Sequence, residues 1–369
     1  MKAKILQKKL LNQLNNVVGA VEKKHTKKIL ENIHISAENN KISFTGTNLE
    51  IELSSSIEID SQEQGMLTTS AWKILEICKA LPVDQLILFE STKDRLYLKS
   101  ARGCFKLSIL PGDKYPLLDD INFNSQVIIQ EKILKNLLDA TAFSMANQDV
   151  RYYLNGLLLD ICDGIIKTVA TDGHRLAISQ YQRDDHKSFD VKRSIIIPRK
   201  GVLELSKILD KNSKEFITLY LSDNHIRVKK NDIRFTSKLI DGKYPDYQTV
   251  IPTSSRYCIE LDRLLFRDTL ARVAILSNEK FRGIRLRFSD GIMKLHSANP
   301  EKETAEEEID VNYTGELLEI GFNVSYLLDA INHIETETIV LQINNPDSSA
   351  LLSASPDAMT RYVVMPIRL

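Results

Sequence analysis

The residues that most resemble a catalytic pair are Asp172 and His174, in the segment Ala170-Thr-Asp-Gly-His-Arg-Leu-Ala177. A carboxylate and an imidazole this close could hold a metal for a hydrolase or nuclease reaction. Such a reaction also needs further carboxylates in the same cavity, or a nucleophile with a positioned base. The sequence has no HExxH, GxSxG, P-loop or GxGxxG pattern. Because Asp-Gly is a common hairpin pair, residues 171–176 can equally be only a turn, and we expect no catalytic residues.

Metal or disulfide chemistry is not indicated by the cysteines. They are widely separated, form no CxxC pair and have no histidine at metal-ligand spacing: Cys78, Cys104, Cys162 and Cys258. We expect free thiols in a reducing compartment, with neither a metal nor another cofactor.

The apolar stretches are short. Segments such as 156–159 and 195–198 are the length of strands, far below the roughly 20 residues that span a bilayer. Residues 1–11 lack the apolar core of a signal peptide. We expect a cytoplasmic protein that does not bind membranes.

Charge and composition indicate a folded protein without an overall preference for nucleic acid. The 369 residues include 49 basic and 49 acidic ones, 43% are hydrophobic and 27% are charged. This length permits two or three domains. With zero net charge, any affinity for DNA must come from an uneven distribution of the basic residues.

The chain repeats itself three times. Amphipathic segments that begin with a basic residue and an apolar pair occur at 9–20, 132–143 and 263–274. A second helical set follows at 71–81, 201–209 and 325–334. Between the two helices of each unit, the stretches 41–53, 156–179 and 283–309 alternate like half-buried strands. The repeat therefore involves several elements in one order, which a chance match of helices does not explain.

Short motifs mark the turns and the ends of the repeats. Turn-like segments lie at 45–48, 170–173 and 297–300, and Tyr115-Pro116 and Tyr244-Pro245 close the first two units. The third unit ends in Tyr362-Val-Val-Met-Pro-Ile-Arg-Leu369. These patterns predict an α+β fold of three units, each with two helices packed on antiparallel sheets. We place the domains at 1–122, 126–252 and 253–369.

Seven blocks of the sequence resemble the bacterial beta sliding clamp, the beta subunit of DNA polymerase III. They extend over the full chain: Asp149-Val-Arg-Tyr-Tyr-Leu-Asn-Gly156, Ala170-Thr-Asp-Gly-His-Arg-Leu-Ala177, Pro198-Arg-Lys-Gly201, Phe235-Thr-Ser-Lys-Leu239, Ile275-Leu-Ser-Asn-Glu-Lys-Phe-Arg-Gly283, Ile320-Gly-Phe-Asn-Val-Ser-Tyr326 and Val363-Val-Met-Pro-Ile-Arg-Leu369. The resemblance implies a non-catalytic processivity factor of three clamp domains: N-terminal, central and C-terminal.

The resemblance also implies an assembly and its partners. Two chains would form a head-to-tail homodimeric ring with the helices lining its hole. The ring would encircle double-stranded DNA without sequence preference and slide along it. Short linear peptides would bind it from the DNA polymerase III alpha subunit, the clamp loader delta subunit, other polymerases and repair proteins.

A peptide-binding pocket is the first site that the resemblance implies. It would be formed by Leu154, Thr171, Gly173, His174, Arg175, Leu176, Pro245, Val250, Asn323, Tyr326, Ser349, Val363, Val364, Met365, Pro366, Ile367, Arg368 and Leu369. Apolar walls with a few polar groups suit a groove that anchors apolar side chains, although the same residues could be core and turns. Thr249 and Asp347 stand where relatives often have an arginine and an apolar residue, which changes the expected peptide preference.

A DNA-facing surface is the second implied site. It would include Lys23, Lys24, Lys27, Gln148, Tyr152, Tyr153, Arg199 and Lys200. Basic residues on inward helices would give a positive hole on a neutral molecule, and contacts would be to phosphates. The alternative is that these are solvated helix faces, and the last helix, 325–334, has no lysine or arginine.

The third implied site is the dimer interface. It would include Lys73, Arg102, Phe105, Leu107, Ile275, Leu276, Glu301, Glu303, Glu306 and Glu307. The apolar residues would stabilise the dimer more than exposed ion pairs do. Trp72 and Cys104 replace residues that are often basic in relatives, so fewer ion pairs are expected. The acidic run could also be only a solvated face, and a repeat scaffold without any role on nucleic acid would share the architecture.

Overall fold

The computed structural model describes residues 1–59, 61–118, 121–183, 191–252 and 254–368. They form two compact units. Unit 1 contains Met1–Leu134 and Lys200–Leu239, and unit 2 contains Lys135–Arg199 and Ile240–Leu369. The predicted domain start at Thr253 and the predicted pocket residue Leu369 lie outside the described residues.

The described residues contain six α-helices. They are α1 Gln7–Val18, α2 Ala71–Ala80, α3 Glu131–Thr141, α4 Arg199–Ile208, α5 Arg263–Val273 and α6 Val324–Asn332. Each of the six predicted helices is confirmed, with ends that differ by one or two residues. In α1, the repeat of apolar residues at three- and four-residue steps buries Leu10, Leu14 and Val17 on one side. No described helix has the length and hydrophobicity that a membrane crossing requires.

Local hydrogen bonds fix the starts of the two helices of the third repeat. The side chain of Asp262 accepts from the N–H of Leu265 at 2.8 Å and caps α5. The side chain of Asn323 accepts from the N–H of Ser325 at 2.9 Å and caps α6. These caps satisfy N–H groups that a helix start leaves without an internal partner.

Antiparallel strands contain most of the described residues that lie outside the helices. The first ten are β1 Lys2–Leu6, β2 Asn32–Glu38, β3 Lys41–Thr47, β4 Ile51–Glu58, β5 Ser61–Glu63, β6 Gly65–Ser70, β7 Leu86–Ser91, β8 Arg95–Lys99, β9 Cys104–Pro111 and β10 Ser125–Gln130. The next seven are β11 Gly156–Cys162, β12 Ile165–Thr171, β13 Arg175–Gln182, β14 Arg193–Pro198, β15 Phe216–Leu221, β16 His225–Lys230 and β17 Ile233–Lys238. The last eight are β18 Tyr257–Asp262, β19 Gly283–Ser289, β20 Ile292–Ala298, β21 Thr304–Asp310, β22 Leu318–Asn323, β23 Thr338–Ile343, β24 Ala350–Ser353 and β25 Thr360–Val364.

Unit 1 is built on one long sheet. Its strand order is β10-β15-β16-β17-β4-β3-β2-β6-β9-β8-β7-β1-β5, so β17 of the second repeat pairs directly with β4 of the first. The buried carboxylate of Glu52 on β4 pairs with Arg234 on β17 at 3.3 Å and accepts from the N–H of Leu118 at 2.7 Å. On β3, a Cβ at Gly46 would lie 2.6 Å from the backbone oxygen of Val17, so only glycine lets α1 approach the sheet this closely.

Unit 2 has two sheets. The eight-stranded sheet has the order β14-β11-β12-β13-β25-β24-β23-β18, and the four-stranded sheet has the order β21-β20-β19-β22. Pairing of β13 with β25 joins the second repeat to the third, with Leu176 opposite Val363. The main core of this unit includes the fully buried Phe266, Phe288 and Phe322.

The repeat extends to the turns. The side-chain oxygen of Asn48 accepts from the N–H groups two and three residues later at 3.1 and 2.9 Å. Asp172 does the same at 2.9 and 3.1 Å. The third turn is different, since the side chain of Asn299 accepts from the N–H of Glu303, four residues on. The α+β fold with three repeated sets of helices and strands is thus confirmed, and each predicted strand region resolves into two or three separate strands.

Candidate functional site

The Asp172 turn in unit 2 is held by its own polar groups. The hydroxyl of Thr171 donates to the carbonyl of Arg175 at 2.6 Å, and Gly173 has a positive φ of 90°. The second carboxylate oxygen of Asp172 accepts from Nε of Arg175 at 3.0 Å. Both oxygens of Asp172 therefore serve the turn and its arginine. Among the described residues, no three histidine, cysteine or acidic side chains gather as a metal site would require.

The guanidinium of Arg175 has three hydrogen-bond acceptors and two aromatic rings as neighbours. Its guanidinium donates to Asp172, to Asp329 and, at 2.9 Å, to the carbonyl of Phe143. Its carbon lies 5.4 Å from the ring centre of Phe143 and 4.7 Å from that of Tyr326. Burial is the main reason that the pKa of Tyr326 is raised. Arg175 therefore connects the turn to helix α6.

The C-terminal segment runs beside the same turn. Val363 and Val364 are buried in β25, opposite the start of β13. After the strand, the N–H of Met365 donates to the carbonyl of His174 at 3.0 Å, and the N–H of Ile367 donates to the carbonyl of Gly321 at 2.8 Å. The apolar chain end, through Arg368, is thereby fixed against two sheets.

A small apolar cluster lies under one part of this segment. It contains Leu158, Val169, Leu176, Ile178, Ile196, Tyr244, Leu351 and Val363, with Tyr153, Ile240, Tyr247, Val250 and Ile251 partly buried against it. Three predicted pocket residues, Leu176, Val250 and Val363, thus come together. The hydroxyl oxygen of Tyr244 accepts from the N–H of Thr171 at 3.1 Å, which ties the cluster to the turn.

An open cavity of about 520 Å³ lies along the other part of the segment. This volume is in the range of ligand sites. Five predicted pocket residues line it: His174, Asn323, Tyr326, Ile367 and Arg368. Five further residues line it that sequence reasoning did not assign to the pocket: Asn278, Lys280, Phe281, Gly283 and Ala298. The sequence did carry one signal, a single aromatic residue inside the charged segment Asn278-Glu-Lys-Phe-Arg282. In the structure, the side chain of this Phe281 is 70% exposed.

Other residues that were predicted in the pocket, and the two departures Thr249 and Asp347, lie elsewhere in unit 2. Leu154 is only 2% exposed, whereas Pro245 is exposed and Ser349 is half-buried. The hydroxyl of Thr249 donates to the carbonyl of Asp246 at 2.9 Å. Asp347 lies in an exposed turn, where its N–H donates to the side chain of Asn345 at 3.0 Å. None of these residues lines the cavity described above.

The predicted DNA-facing residues of unit 1 lie in one loop and at one helix start. Lys23, Lys24 and Lys27 are exposed in the segment after α1. The ammonium of Lys23 lies 4.8 Å from the ring centre of Trp72. Lys200, at the start of α4, pairs with Glu22 at 3.0 Å, and this hydrogen bond lowers the pKa of Glu22.

The predicted DNA-facing residues of unit 2 lie in or beside another loop. Gln148 has a positive φ of 58°, and the rings of Tyr152 and Tyr153 are 5.7 Å apart in an edge contact. The guanidinium of Arg199 donates to the carbonyl of Met145 at 2.8 Å, so part of its hydrogen-bonding capacity is used internally.

The predicted interface residues of unit 1 belong to strand β9 and its surroundings. Residues 104–108 of β9 pair only with β8 among the described strands, so one edge is open. Phe105 is half-buried, and Leu107 is 8% exposed. Lys73 and Arg102 are exposed.

The predicted interface residues of unit 2 lie near the open edge of β21. Ile275 is 76% exposed, and Leu276 is half-buried. The acidic run already has partners within its own chain. Glu307 forms a bidentate ion pair with Arg272 at 2.6 and 2.7 Å, which lowers the pKa of Glu307. Glu306 and Glu308 both pair with Lys294, Glu303 accepts from the side chain of Asn299 at 2.7 Å, and Glu301 is exposed.

Family models match almost the whole chain. The N-terminal domain of the DNA polymerase III beta subunit matches residues 1–119, the central domain matches 128–246 and the C-terminal domain matches 248–368. These matches agree with three repeats.

Individual relatives cover the chain from end to end. The beta sliding clamp of Pseudomonas aeruginosa is 43% identical over 99% of both chains, and that of Escherichia coli is 39% identical over 100% of both. The solved structure of the P. aeruginosa clamp bound to griselimycin has a TM-score of 0.95 at 42% identity, and the Caulobacter crescentus clamp has 0.93 at 33%, each over the full length of this chain. The chain therefore belongs to the DNA polymerase III beta subunit family, and it is a non-catalytic DNA sliding clamp, the processivity factor of that polymerase.

Proposed function

We propose that the chain closes a head-to-tail homodimeric ring around duplex DNA and captures polymerases and repair proteins in the groove of unit 2. The groove is defined here as the apolar cluster around Leu176 and Val363 together with the cavity lined by Tyr326 and Ile367. The main observation in favour is that the chain end itself forms the wall shared by both parts.

The chemistry of the groove suits an extended peptide with apolar anchors. One anchor would pack on the cluster, and a second would enter the cavity against Phe281, Tyr326 and Ile367. The side-chain NH2 groups of Asn278 and Asn323 can donate to carbonyls of a peptide backbone, since the oxygens of both amides already accept from backbone N–H groups. The partners would be the DNA polymerase III alpha subunit, the clamp loader delta subunit and other polymerases. Griselimycin, which is bound in the solved P. aeruginosa clamp, would bind here as well.

Contacts with DNA would be weak and directed to phosphates. The loop lysines Lys23, Lys24 and Lys27 are exposed, and none has an ion pair within the described part of the chain. Such contacts do not read sequence, which a sliding protein requires. The paired Lys200 and the internally bonded Arg199 would contribute less.

Ring closure would use the open strand edges. The edge of β9 in one subunit would lie beside the edge of β21 in the partner subunit, which continues a sheet across the junction. Phe105 and the exposed Ile275 would supply apolar contact. Because Arg272 and Lys294 already pair with much of the acidic run, ion pairs between subunits would contribute little.

Retention on circular DNA tests this function against a repeat scaffold with no role on nucleic acid. The protein is loaded onto nicked circles by a clamp loader, washed at high salt and then exposed to a nuclease that linearises the circle. We expect retention on the circle through the wash, because topology and not affinity holds the ring, and loss after linearisation. Equal retention on circular and linear DNA, or none on either, would refute the proposal.

A further inference from the structure

This inference rests on the proposed function and concerns how the groove keeps its shape. Planar groups stack from the cavity wall towards the end of α6. The rings of His174 and Tyr326 are 6.4 Å apart and inclined by 17°. The guanidinium of Arg175 follows, then the ring of Phe143, and the ring of His333 lies 4.1 Å from Phe143 at 19°.

Arg175 lies behind the cavity wall, although the sequence suggests that it lines the pocket. Its side chain is only 13% exposed, and it is absent from the cavity lining, whereas Tyr326 belongs to that lining. The guanidinium lies over the rings of Phe143 and Tyr326, and acceptors meet its edges at Nε, Nη1 and Nη2. A planar cation held in this way supports the ring of Tyr326 from behind.

Asp329 is the acceptor that links this arrangement to α6. It follows Tyr326 by three residues, so both side chains leave the helix on neighbouring positions. Its carboxylate pairs with Nη1 of Arg175, and its backbone carbonyl lies 2.7 Å from Nδ1 of His333. The Asp329 side chain therefore acts on the guanidinium, whereas the contact with His333 belongs to the backbone and is kept in any variant at position 329.

We propose that Asp329 is a positioning residue of the peptide groove. It fixes the plane of the Arg175 guanidinium and, through it, holds the ring of Tyr326 where a partner peptide meets the cavity wall. Without Asp329, the guanidinium keeps Asp172 and the carbonyl of Phe143 and is free to turn about that edge. Tyr326 then loses its fixed support, and the bound peptide loses a preorganised wall.

The test uses the full-length protein and two probes, griselimycin and a fluorescent peptide with the clamp-binding segment of the DNA polymerase III alpha subunit. Asp329→Ala is expected to weaken peptide binding about tenfold, the scale of one lost charge-assisted hydrogen bond. Asp329→Asn keeps an oxygen that accepts from Arg175, so it should restore most of the affinity. Glu319→Ala serves as a control, because it removes a surface pair with Arg285 (3.2 Å) on the same unit. It should bind like the wild type.

A double-mutant cycle separates positioning from a general loss of stability. If Asp329 acts through Tyr326, adding Asp329→Ala to Tyr326→Leu should cause no further loss of affinity. Additive losses, or wild-type affinity in Asp329→Ala, would overturn the inference. If Asp329→Ala does not fold, Asp329→Ser replaces it in the cycle and decides in the same way, because the serine side chain ends one atom short of the carboxylate oxygens that pair with Arg175. Failure of the wild-type protein to bind either probe would instead count against the proposed function.

Discussion

The backbone N–H of Thr171 donates a 3.1 Å hydrogen bond to the phenol oxygen of Tyr244, 73 residues further along the chain. In unit 1, Thr47 donates to Tyr115 in the same way, also at 3.1 Å. Burial raises the pKa of both tyrosines, so both keep their protons. The sequence repeat Tyr-Pro thus has a physical meaning: in each unit, the tyrosine after the last strand of a repeat fixes the turn at the end of an earlier strand.

Replacing Tyr244 by phenylalanine should therefore lower both stability and peptide binding. The change leaves the N–H of Thr171 without its acceptor, which costs about 1–3 kcal/mol when the donor is buried. Urea unfolding and peptide titration measure the two effects.

Two variants control this prediction. Tyr115→Phe should lower stability in a similar way but leave peptide binding unchanged, because Tyr115 belongs to unit 1. Tyr247→Phe should leave stability unchanged, since the Tyr247 hydroxyl has no hydrogen bond in the described part of the chain. Unchanged unfolding of Tyr244→Phe would contradict the argument.

The repeated elements could be predicted from the sequence because their causes are local. Apolar residues at helical spacing defined α1, α3 and α5 within two residues, and the Asx turns at Asn48 and Asp172 follow from side chains that bond their own backbone. The pairing of β17 with β4 and of β13 with β25 joins strands far apart in sequence, and no local pattern specifies it.

The site was harder to predict because its side chains are set by distant partners. Arg175 fits the pocket motif, and its guanidinium also pairs with Asp329, 154 residues away, which no local pattern predicts. Glu307 reads as part of an acidic interface run, yet Arg272 on α5 pairs with it. Phe281 enters the cavity from a loop whose position depends on the four-stranded sheet. The predicted pocket, interface and DNA-facing residues remain predictions that binding experiments must test.

Removing residues 365–369 should abolish peptide binding and leave the dimer intact. The deletion removes Ile367 and Arg368 from the cavity, together with the hydrogen bonds of Met365 to His174 and of Ile367 to Gly321. Fluorescence anisotropy measures the binding, and sedimentation measures the dimer. The point variant Ile367→Asp, which keeps the chain length, should weaken binding at least tenfold by placing a charge on an apolar wall. Peptide binding that survives the deletion would exclude this segment from the groove.

Replacing Ile275 by alanine and Leu276 by lysine should give monomers. Ile275 is 76% exposed in the single chain, so its apolar surface is available to a partner subunit. Burial of such a side chain contributes about 1.5–3 kcal/mol, and the lysine at position 276 adds a desolvation cost. Sedimentation velocity measures the change. As a control, Leu317→Lys, at an exposed leucine of unit 2 outside the predicted interface, should remain a dimer. A dimer that persists in the double variant would place the interface elsewhere.

Neutralising the loop lysines should weaken DNA binding more than neutralising Lys200. Lys24 and Lys27 are exposed, whereas Lys200 already pairs with Glu22 at 3.0 Å. For each phosphate that a variant no longer neutralises, the negative slope of log K against log salt should become shallower by about 0.9. Binding to a short duplex between 50 and 200 mM salt, roughly the range over which such interactions weaken, measures both variants. An effect of Lys200→Ala that is as large per removed charge as that of the double variant Lys24→Ala with Lys27→Ala would show that the Glu22 pair does not mask Lys200.

The pair of Asp149 and Arg151, in the loop that carries Gln148 and Tyr152, should stabilise the fold by an amount that decreases at acidic pH. Side-chain hydrogen bonds from Arg151 to Asp149, at 2.9 and 3.0 Å, and one from its backbone N–H at 2.8 Å lower the pKa of Asp149 to about 2. An aspartate in the unfolded chain titrates near pH 3.9, roughly its model-peptide value. Since the folded pKa is the lower one, the ionised carboxylate stabilises the fold above about pH 4, and this contribution disappears as the pH falls towards about 2.

Asp149→Asn should accordingly unfold at lower urea concentration than the wild type at pH 6, and the difference should shrink as the pH is lowered below about 4. The effect is small, because the pair is exposed to solvent. In the background of Arg151→Gln, which removes the guanidinium but keeps the backbone N–H, the pH dependence of the Asp149→Asn effect should decrease. A difference between wild type and Asp149→Asn that stays constant from pH 6 to pH 3, roughly one unit below the unfolded pKa, would mean that Arg151 does not control the ionisation of Asp149.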